Sequence, residues 1–272
     1  MNWIQLFPDQ TVLLRVGPLS IRWYALAYIG SLILGWQIMR RLVRLSPTVA
    51  TALQTDDFLT WATLGVVLGG RLGYVLFYQP TAFMDHPLQI FAVWEGGMSF
   101  HGGALGVVVA LILYCRQQSI PLLGFADRIA IVTPIGLGLG RIANFINGEL
   151  WGRPAPAWWP GTMVFPRAGP ELRYPSQLYQ ATMEGLLLFL LLWGLSRREG
   201  VRERFGMLTG VFLVGYAIAR SIGELFREPD RFLGFLSTVV PITMGQALSI
   251  PMVVVGLWLI IRARPRPAVV LA

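Results

Sequence analysis

Seven stretches of the chain are apolar for long enough to cross a hydrocarbon layer, and shorter polar segments separate them. A span needs about 20 mostly apolar residues, because the hydrocarbon is about 30 Å thick and a helix rises about 1.5 Å per residue. The stretches are 21–40, 57–78, 99–116, 122–141, 177–196, 205–223 and 241–262. The pattern predicts an all-α polytopic membrane protein with seven transmembrane helices, read as a single integral membrane domain over 1–272. The connection from 142 to 176 is the one sizeable segment outside the spans. It carries Pro154, Pro156, Pro160, Pro166, Pro170 and Pro175, too many for a helix. Trp158 and Trp159 suit the headgroup layer. This segment is expected to form a small extracytoplasmic cap lying on the membrane. No internal repeat of the transporter kind is visible.

An odd number of spans puts the termini on opposite sides, and arginine decides which. The connections after spans one, three and five and the C-terminal tail hold Arg40, Arg41, Arg44, Arg116, Arg197, Arg198, Arg202, Arg204, Arg262, Arg264 and Arg266. The other side holds Arg15, Arg141, Arg153, Arg167, Arg173, Arg227 and Arg231, four of them in the long connection, where the rule weakens. The N-terminus is therefore expected outside and the C-terminus in the cytoplasm. Met1 to Ser20 has one basic residue and no cleavage-type pattern, so the first span is read as an uncleaved anchor.

Composition narrows the chemistry. The chain is 55% hydrophobic and 13% charged, where a soluble domain averages roughly 25% charged. All 22 basic residues are arginine, which removes Schiff-base chemistry. The net charge of +8 is read first as topology bias, then as attraction to anionic lipid. Cys115 is the lone cysteine, so no internal disulfide is possible. His86 and His101 fall short of the common metal patterns. No metal, cofactor or nucleic-acid partner is expected.

With this topology, unusual polar residues from several spans fall at one depth. Tyr24 starts span one, Arg71 lies in the outer half of span two, and His101 opens span three. Arg141 closes span four, with Asn144 and Glu149 just beyond, and Arg220 and Glu224 end span six. Ionisable groups near hydrocarbon are costly and usually line a site, so a lipid-accessible site in the outer leaflet is expected. Each residue also has a plainer reading. Arg220 and Glu224, spaced i, i+4, fit a helix-end ion pair equally well. Arg71 is read as structural, bonding backbone carbonyls across helices. Asp127 and Arg128 are read as structural or topological. Glu184 is too deep to be free and should pair with an arginine, either of several. Cys115 falls at the opposite, cytoplasmic end of span three, and is not expected to react. Ser99 lacks the GxSxG elbow of a serine hydrolase.

The densest polar segment is Gly140 to Gly152, GRIANFINGELWG. Arg141 and Asn144 share a face if the helix continues, and Asn147-Gly148 favours a turn before Glu149. This segment resembles, nearly letter for letter, the signature of the prolipoprotein diacylglyceryl transferases. HGG at His101–Gly103, YAIARSIGELFREPD from Tyr216, and IRWYAL around Tyr24 resemble the same family. The resemblance implies a bacterial inner-membrane enzyme with its active site towards the periplasm. It implies two substrates, phosphatidylglycerol and a prolipoprotein signal peptide with a lipobox cysteine, and a thioether product.

For such a reaction the resemblance assigns Arg141 and Arg220 to the phosphate, since a guanidinium holds two phosphate oxygens at once. Asn144 would orient the headgroup, and Asn147, Gly102, Gly152 and Tyr216 would help to bind substrate. His101 is the proton acceptor or an orienting group. Glu149 and Glu224 position the arginines, or one of them is the base. Tyr24 would hydrogen-bond headgroup or thiol. A transporter for an anionic lipid, a receptor-like seven-helix protein and another headgroup enzyme remain as rivals.

Overall fold

A computed structural model describes residues 11–17, 19–78, 87–92, 96–229 and 242–265. Residues 1–10, His86, Asp230, Arg231 and Arg266 lie outside the described residues.

The chain opens with an antiparallel hairpin, β1 (Val12–Val16) and β2 (Leu19–Arg22). Helices α1 (Trp23–Leu42), α2 (Ala52–Phe77), α3 (Phe100–Gln117) and α4 (Leu122–Ile146) follow. A second hairpin, β3 (Met163–Val164) and β4 (Leu172–Arg173), leads into α5 (Ser176–Ser196). The single turn Glu199–Arg202, α6 (Met207–Phe226) and α7 (Met244–Arg262) complete the order.

The protein is mostly helical and spans a membrane several times. Helices α2 to α7, six in number among the described residues, are long and apolar enough to cross. Their outer faces expose Leu64, Leu68, Leu105, Leu190, Ile218 and Val254, a surface suited to hydrocarbon and not to water. Helix α1 has 20 residues but falls below the apolarity of the other six, because Tyr24, Tyr28, Trp36, Gln37, Arg40 and Arg41 interrupt it. Two short hairpins accompany the helices and leave the expected all-α class unchanged.

Caps set several helix starts. Thr51 accepts the backbone N–H of Gln54 at 3.1 Å, and the Gln54 side chain accepts that of Thr51 at 2.9 Å. This capping box starts α2 five residues before the apolar run at 57. Thr243 and Gln246 repeat the device at α7.

The described contacts divide the chain into two compact units, one holding residues up to Ile38 and from Asp127 onward, the other Met39 to Ala126. In the second unit, α2 and α3 approach through glycines. A Cβ on Gly65 would lie 2.7 Å from the Gly106 carbonyl oxygen, and one on Gly73 2.7 Å from the Gly102 Cα. Small residues at such crossings let membrane helices reach van der Waals contact along their length. Phe58, Tyr114 and Phe125 stack into a core beside them, and the Tyr114 hydroxyl donates to the Gln54 carbonyl at 2.7 Å. Arg71 is buried and structural. It donates to the carbonyls of Gln89, Ile90, Gly96 and Gly97. All four belong to the α2–α3 connection, Gln89 and Ile90 within its short 3-10 helix Pro87–Phe91.

In the first unit, α4 meets α5 where a Cβ on Gly185 would lie 2.6 Å from the Gly138 Cα, and α6 meets α7 where one on Gly210 would lie 2.7 Å from the Gly256 carbonyl oxygen. Asp127 is structural: its carboxylate accepts the N–H groups of Gly206 and Thr209 and the Thr209 hydroxyl, at 2.7–2.8 Å. It thereby satisfies orphan donors at the start of α6. The α4–α5 connection is folded. Phe145, Ile146, Met163 and Phe165 form a small core, with Trp23, Trp151 and Leu178 against it.

Candidate active site

Helix α4 runs five residues past the expected end of span four. Asn144, expected just beyond the helix, therefore lies inside it, and the connection to α5 starts at 147 instead of 142. The helix can continue because its polar residues find partners. It stops at the Asn147-Gly148 turn, where Gly148 takes φ +63°, a conformation that glycine adopts without a Cβ penalty. The Glu149 N–H then returns to the Asn144 carbonyl at 2.9 Å.

That turn folds Glu149 back over the helix end. The side-chain amides of Asn144 and Asn147 donate to its two carboxylate oxygens at 3.4 and 3.5 Å. The Gln177 amide donates to the Glu149 carbonyl at 2.6 Å, and the Ser176 hydroxyl to that of Leu150 at 3.1 Å. Asn144, Asn147 and Glu149 line an open cleft of about 650 Å³ together with Tyr24, Tyr28 and Arg22.

On the same stretch of α4, Arg141 faces α5. Its Nε donates to Glu184 Oε2 at 3.1 Å, and Arg220 Nη1 of α6 lies 3.8 Å from Glu184 Oε1. Glu184 is wholly buried. The close backbones at Gly138 and Gly185 bring this pair together: Arg141 lies one turn beyond Gly138, and Glu184 is the neighbour of Gly185. Glu184 sits within a π-helical turn, Ala181–Leu187, a local widening common at functional sites. Arg220 also pairs with Glu224 at 2.6 Å, and the same Glu224 oxygen meets Arg227 at 3.1 Å. Tyr216 lies within electrostatic reach of Glu184, Arg220 and Arg141. The Arg141 side chain also hydrogen-bonds Tyr216.

Gly152 is held by backbone. Its N–H donates to the Tyr174 carbonyl at 3.1 Å, and a Cβ there would lie 2.8 Å from the Phe226 carbonyl oxygen. The tight fit seats the signature loop against the end of α6, where Arg153 donates to the carbonyls of Arg227 and Glu224 at 3.0 and 3.3 Å.

The first unit thus brings together Arg141, Glu184, Arg220, Glu224 and Tyr216 in one cluster, and Tyr24, Asn144, Asn147 and Glu149 around the cleft. Both are served by the last turns of α4. His101 and Gly102 belong to the second unit. His101 is exposed in the first turn of α3, with the Phe100 ring edge-on at 5.7 Å. Gly102 packs against Gly69 and Gly73. Sequence reasoning missed Gln177, Gln180, Arg153 and Arg227. The signal was present for two of them: Gln177, Gln180 and Glu184 form a polar stripe at helical spacing on an otherwise apolar segment. Among the described residues, no three His, Cys, Asp or Glu side chains converge as metal ligands would.

A family model described as prolipoprotein diacylglyceryl transferase matches residues 11–262. The chain is 61% identical over 266 residues to the phosphatidylglycerol–prolipoprotein diacylglyceryl transferase of Gluconacetobacter diazotrophicus, covering 97% of this chain and 94% of that protein. The protein of the same name from Acidiphilium cryptum is 60% identical over 254 residues, covering 93% and 91%. That from Gluconobacter oxydans is 57% identical over 268 residues, covering 98% and 97%.

Proposed function

The chain belongs to the prolipoprotein diacylglyceryl transferase family, and from that premise we propose that it moves the diacylglyceryl group of phosphatidylglycerol onto the lipobox cysteine thiol of a prolipoprotein. The sulfur attacks the glycerol carbon that bears the phosphate. A carbon–sulfur bond forms, the carbon–oxygen bond to phosphate breaks, the thiol proton passes to a base, and glycerol phosphate leaves.

Two demands follow. A free thiol has a pKa of about 8.5 and attacks as thiolate, so a nearby group must accept its proton. The departing phosphate gains charge in a poorly hydrated place, and fixed cations aimed at that charge lower the barrier. In this reading Arg141 and Arg220 hold the phosphate, with Glu184 and Glu224 orienting them. Asn144, Asn147 and Tyr24 hold the headgroup or the incoming thiol at the cleft, and Glu149 orients them. Gly152 and Tyr216 complete the binding surface. His101 accepts the thiol proton or orients the group that does.

One observation carries the reading: a fully buried glutamate joins two arginines from different helices, yet leaves Arg220 Nη1, 3.8 Å from its carboxylate, without a hydrogen bond among the described residues. Donors buried without partners are costly. A phosphate would satisfy them.

The same reading makes α1 the first of seven spans in a bacterial inner membrane. It puts the N-terminus in the periplasm, the C-terminus in the cytoplasm, and the 147–175 connection in a cap over the site. The arginine distribution supports this orientation. Labelling of engineered cysteines at positions 101, 144 and 220 tests it; all three should react from the periplasmic side, and opposite faces would end it.

The activity is tested by incubating the purified protein with phosphatidylglycerol and a signal peptide containing the cysteine. The peptide should gain diacylglyceryl mass as glycerol phosphate is released. Lipid movement with no covalent product would favour the transporter reading instead.

A further inference from the structure

We propose that the Gln180 carboxamide, with Glu184 Oε1 and Arg220 Nη1, forms a subsite for a hydroxylated phosphate ester, and that Gln180 reads its hydroxyl groups. The inference rests on the transferase reading for its choice of lipid.

Gln180 has no exposed surface, and neither Oε1 nor Nε2 has a hydrogen-bond partner among the described residues. It is not unique in this. Glu184 Oε1 and Arg220 Nη1 are buried as well, and face each other at 3.8 Å as an ion pair with no hydrogen bond to either. These groups belong together. Gln180 precedes Glu184 by four residues, immediately before the π-helical turn, so both look out from one face of α5. Across from it stands Gly223 of α6, where a Cβ would lie 3.1 Å from Gln180 Nε2 and 2.9 Å from its Cγ. Gly223 falls between Arg220 and Glu224. Its missing side chain is what leaves room for the amide beside the arginine cluster.

The unmet atoms define the ligand by their chemistry. Arg220 Nη1 and Gln180 Nε2 are donors and ask for acceptor oxygens, which a phosphate supplies. Gln180 Oε1 and Glu184 Oε1 are acceptors and ask for hydrogen-bond donors, which a bare phosphodiester lacks. A carboxamide both donates and accepts, which matches a hydroxyl. An ammonium headgroup would also donate, but it would stand beside the guanidinium groups of Arg141 and Arg220. A glycerol phosphate moiety meets the whole set, either within the lipid or as the departing product.

The test uses the full chain in nanodiscs. Turnover and lipid retention by native mass spectrometry are compared for phosphatidylglycerol and phosphatidylpropanol, whose headgroup has no free hydroxyl. Inhibition is compared for glycerol phosphate and propyl phosphate. The variants are Gln180→Met, which keeps the volume, and Gly223→Ala, which crowds the amide from the other side. The wild-type chain should favour the hydroxylated ligand by about tenfold or more, the factor expected when a buried polar group loses its partner. Both variants should reduce that preference to about threefold or less. Gln180→Met should unfold at the same or a higher temperature, since it removes an unsatisfied amide. A changed lipid ratio assigns the subsite to the substrate, and a change confined to glycerol phosphate assigns it to the product. An unchanged preference in folded Gln180→Met overturns the proposal and leaves a buried water as the amide's partner. If the wild-type chain transferred nothing, the transferase reading would fall, and the retention ratio would still decide on Gln180.

Discussion

Glu184 and Arg141 meet at 3.1 Å where α4 and α5 touch, with the glutamate wholly buried and the arginine nearly so. The pair exists because two glycines, Gly138 and Gly185, let the backbones close to contact one turn away. Arg220 joins from α6 at 3.8 Å. One carboxylate therefore offsets two guanidinium groups that would otherwise repel each other in a place with little water. Glu184→Ala should leave Arg141 uncompensated and Arg220 with Glu224 alone, and cost about 3–5 kcal/mol of stability. Thermal unfolding in detergent would show it as a large drop in midpoint. The double variant Arg141→Met, Glu184→Met should recover most of the midpoint and none of the turnover. A double variant as unstable as Glu184→Ala would mean that Glu184 is needed for something other than the arginines.

Lysine cannot replace arginine in this cluster. Arg141 uses Nε for Glu184 and still has its amino groups to turn towards Tyr216 or a ligand. A lysine ammonium is one point charge and must choose between them. Arg141→Lys and Arg220→Lys should fold with near-normal unfolding midpoints and lose most transferase activity, on the order of a hundredfold, the scale of removing one transition-state donor. Near-normal turnover in Arg141→Lys would remove that residue from the phosphate.

How far the sequence foretold these contacts varies by element. The apolar runs located the spanning helices to within a few residues because hydrocarbon thickness fixes their length. Their ends were less legible. Helix α2 starts at a Thr51–Gln54 capping box that the sequence does display. The end of α4 was invisible, since Arg141 and Asn144 stay helical only through Glu184 and Glu149, partners 43 and 5 residues away. The need of Glu184 for an arginine was legible from its depth; which arginine was not. Nothing in ATMEGLL distinguishes a π-helical turn from an ordinary one. The signature residues were legible as a group, but the division between a cleft and a charge cluster comes from the face each takes on α4.

Cys115 lies buried near the end of α3, next to Tyr114 in an aromatic core. A thiol in such surroundings behaves as a small hydrophobe. Cys115→Ala should keep full transferase activity, with a modest loss of stability from the cavity, about 1 kcal/mol. An inactive but folded variant would overturn the view that the attacking sulfur comes from the peptide alone.

Gly102 separates two tasks that the sequence could not tell apart. Beside His101 it resembles a residue that lets a lipid approach. Its surroundings are Gly69 and Gly73 of α2, and a Cβ on Gly73 would already lie 2.7 Å from the Gly102 Cα. The obstacle is backbone on both sides, which cannot rotate away as a side chain could. Gly102→Ala must therefore spread α2 from α3, at about 1–3 kcal/mol or more, and move the first turn of α3 that carries His101. The expected result is a lower unfolding midpoint and a reduced kcat, with KM for phosphatidylglycerol unchanged at temperatures where the protein is folded. If the midpoint held and KM rose instead, Gly102 would be a lipid contact, and the α2–α3 crossing would be looser than its glycines indicate.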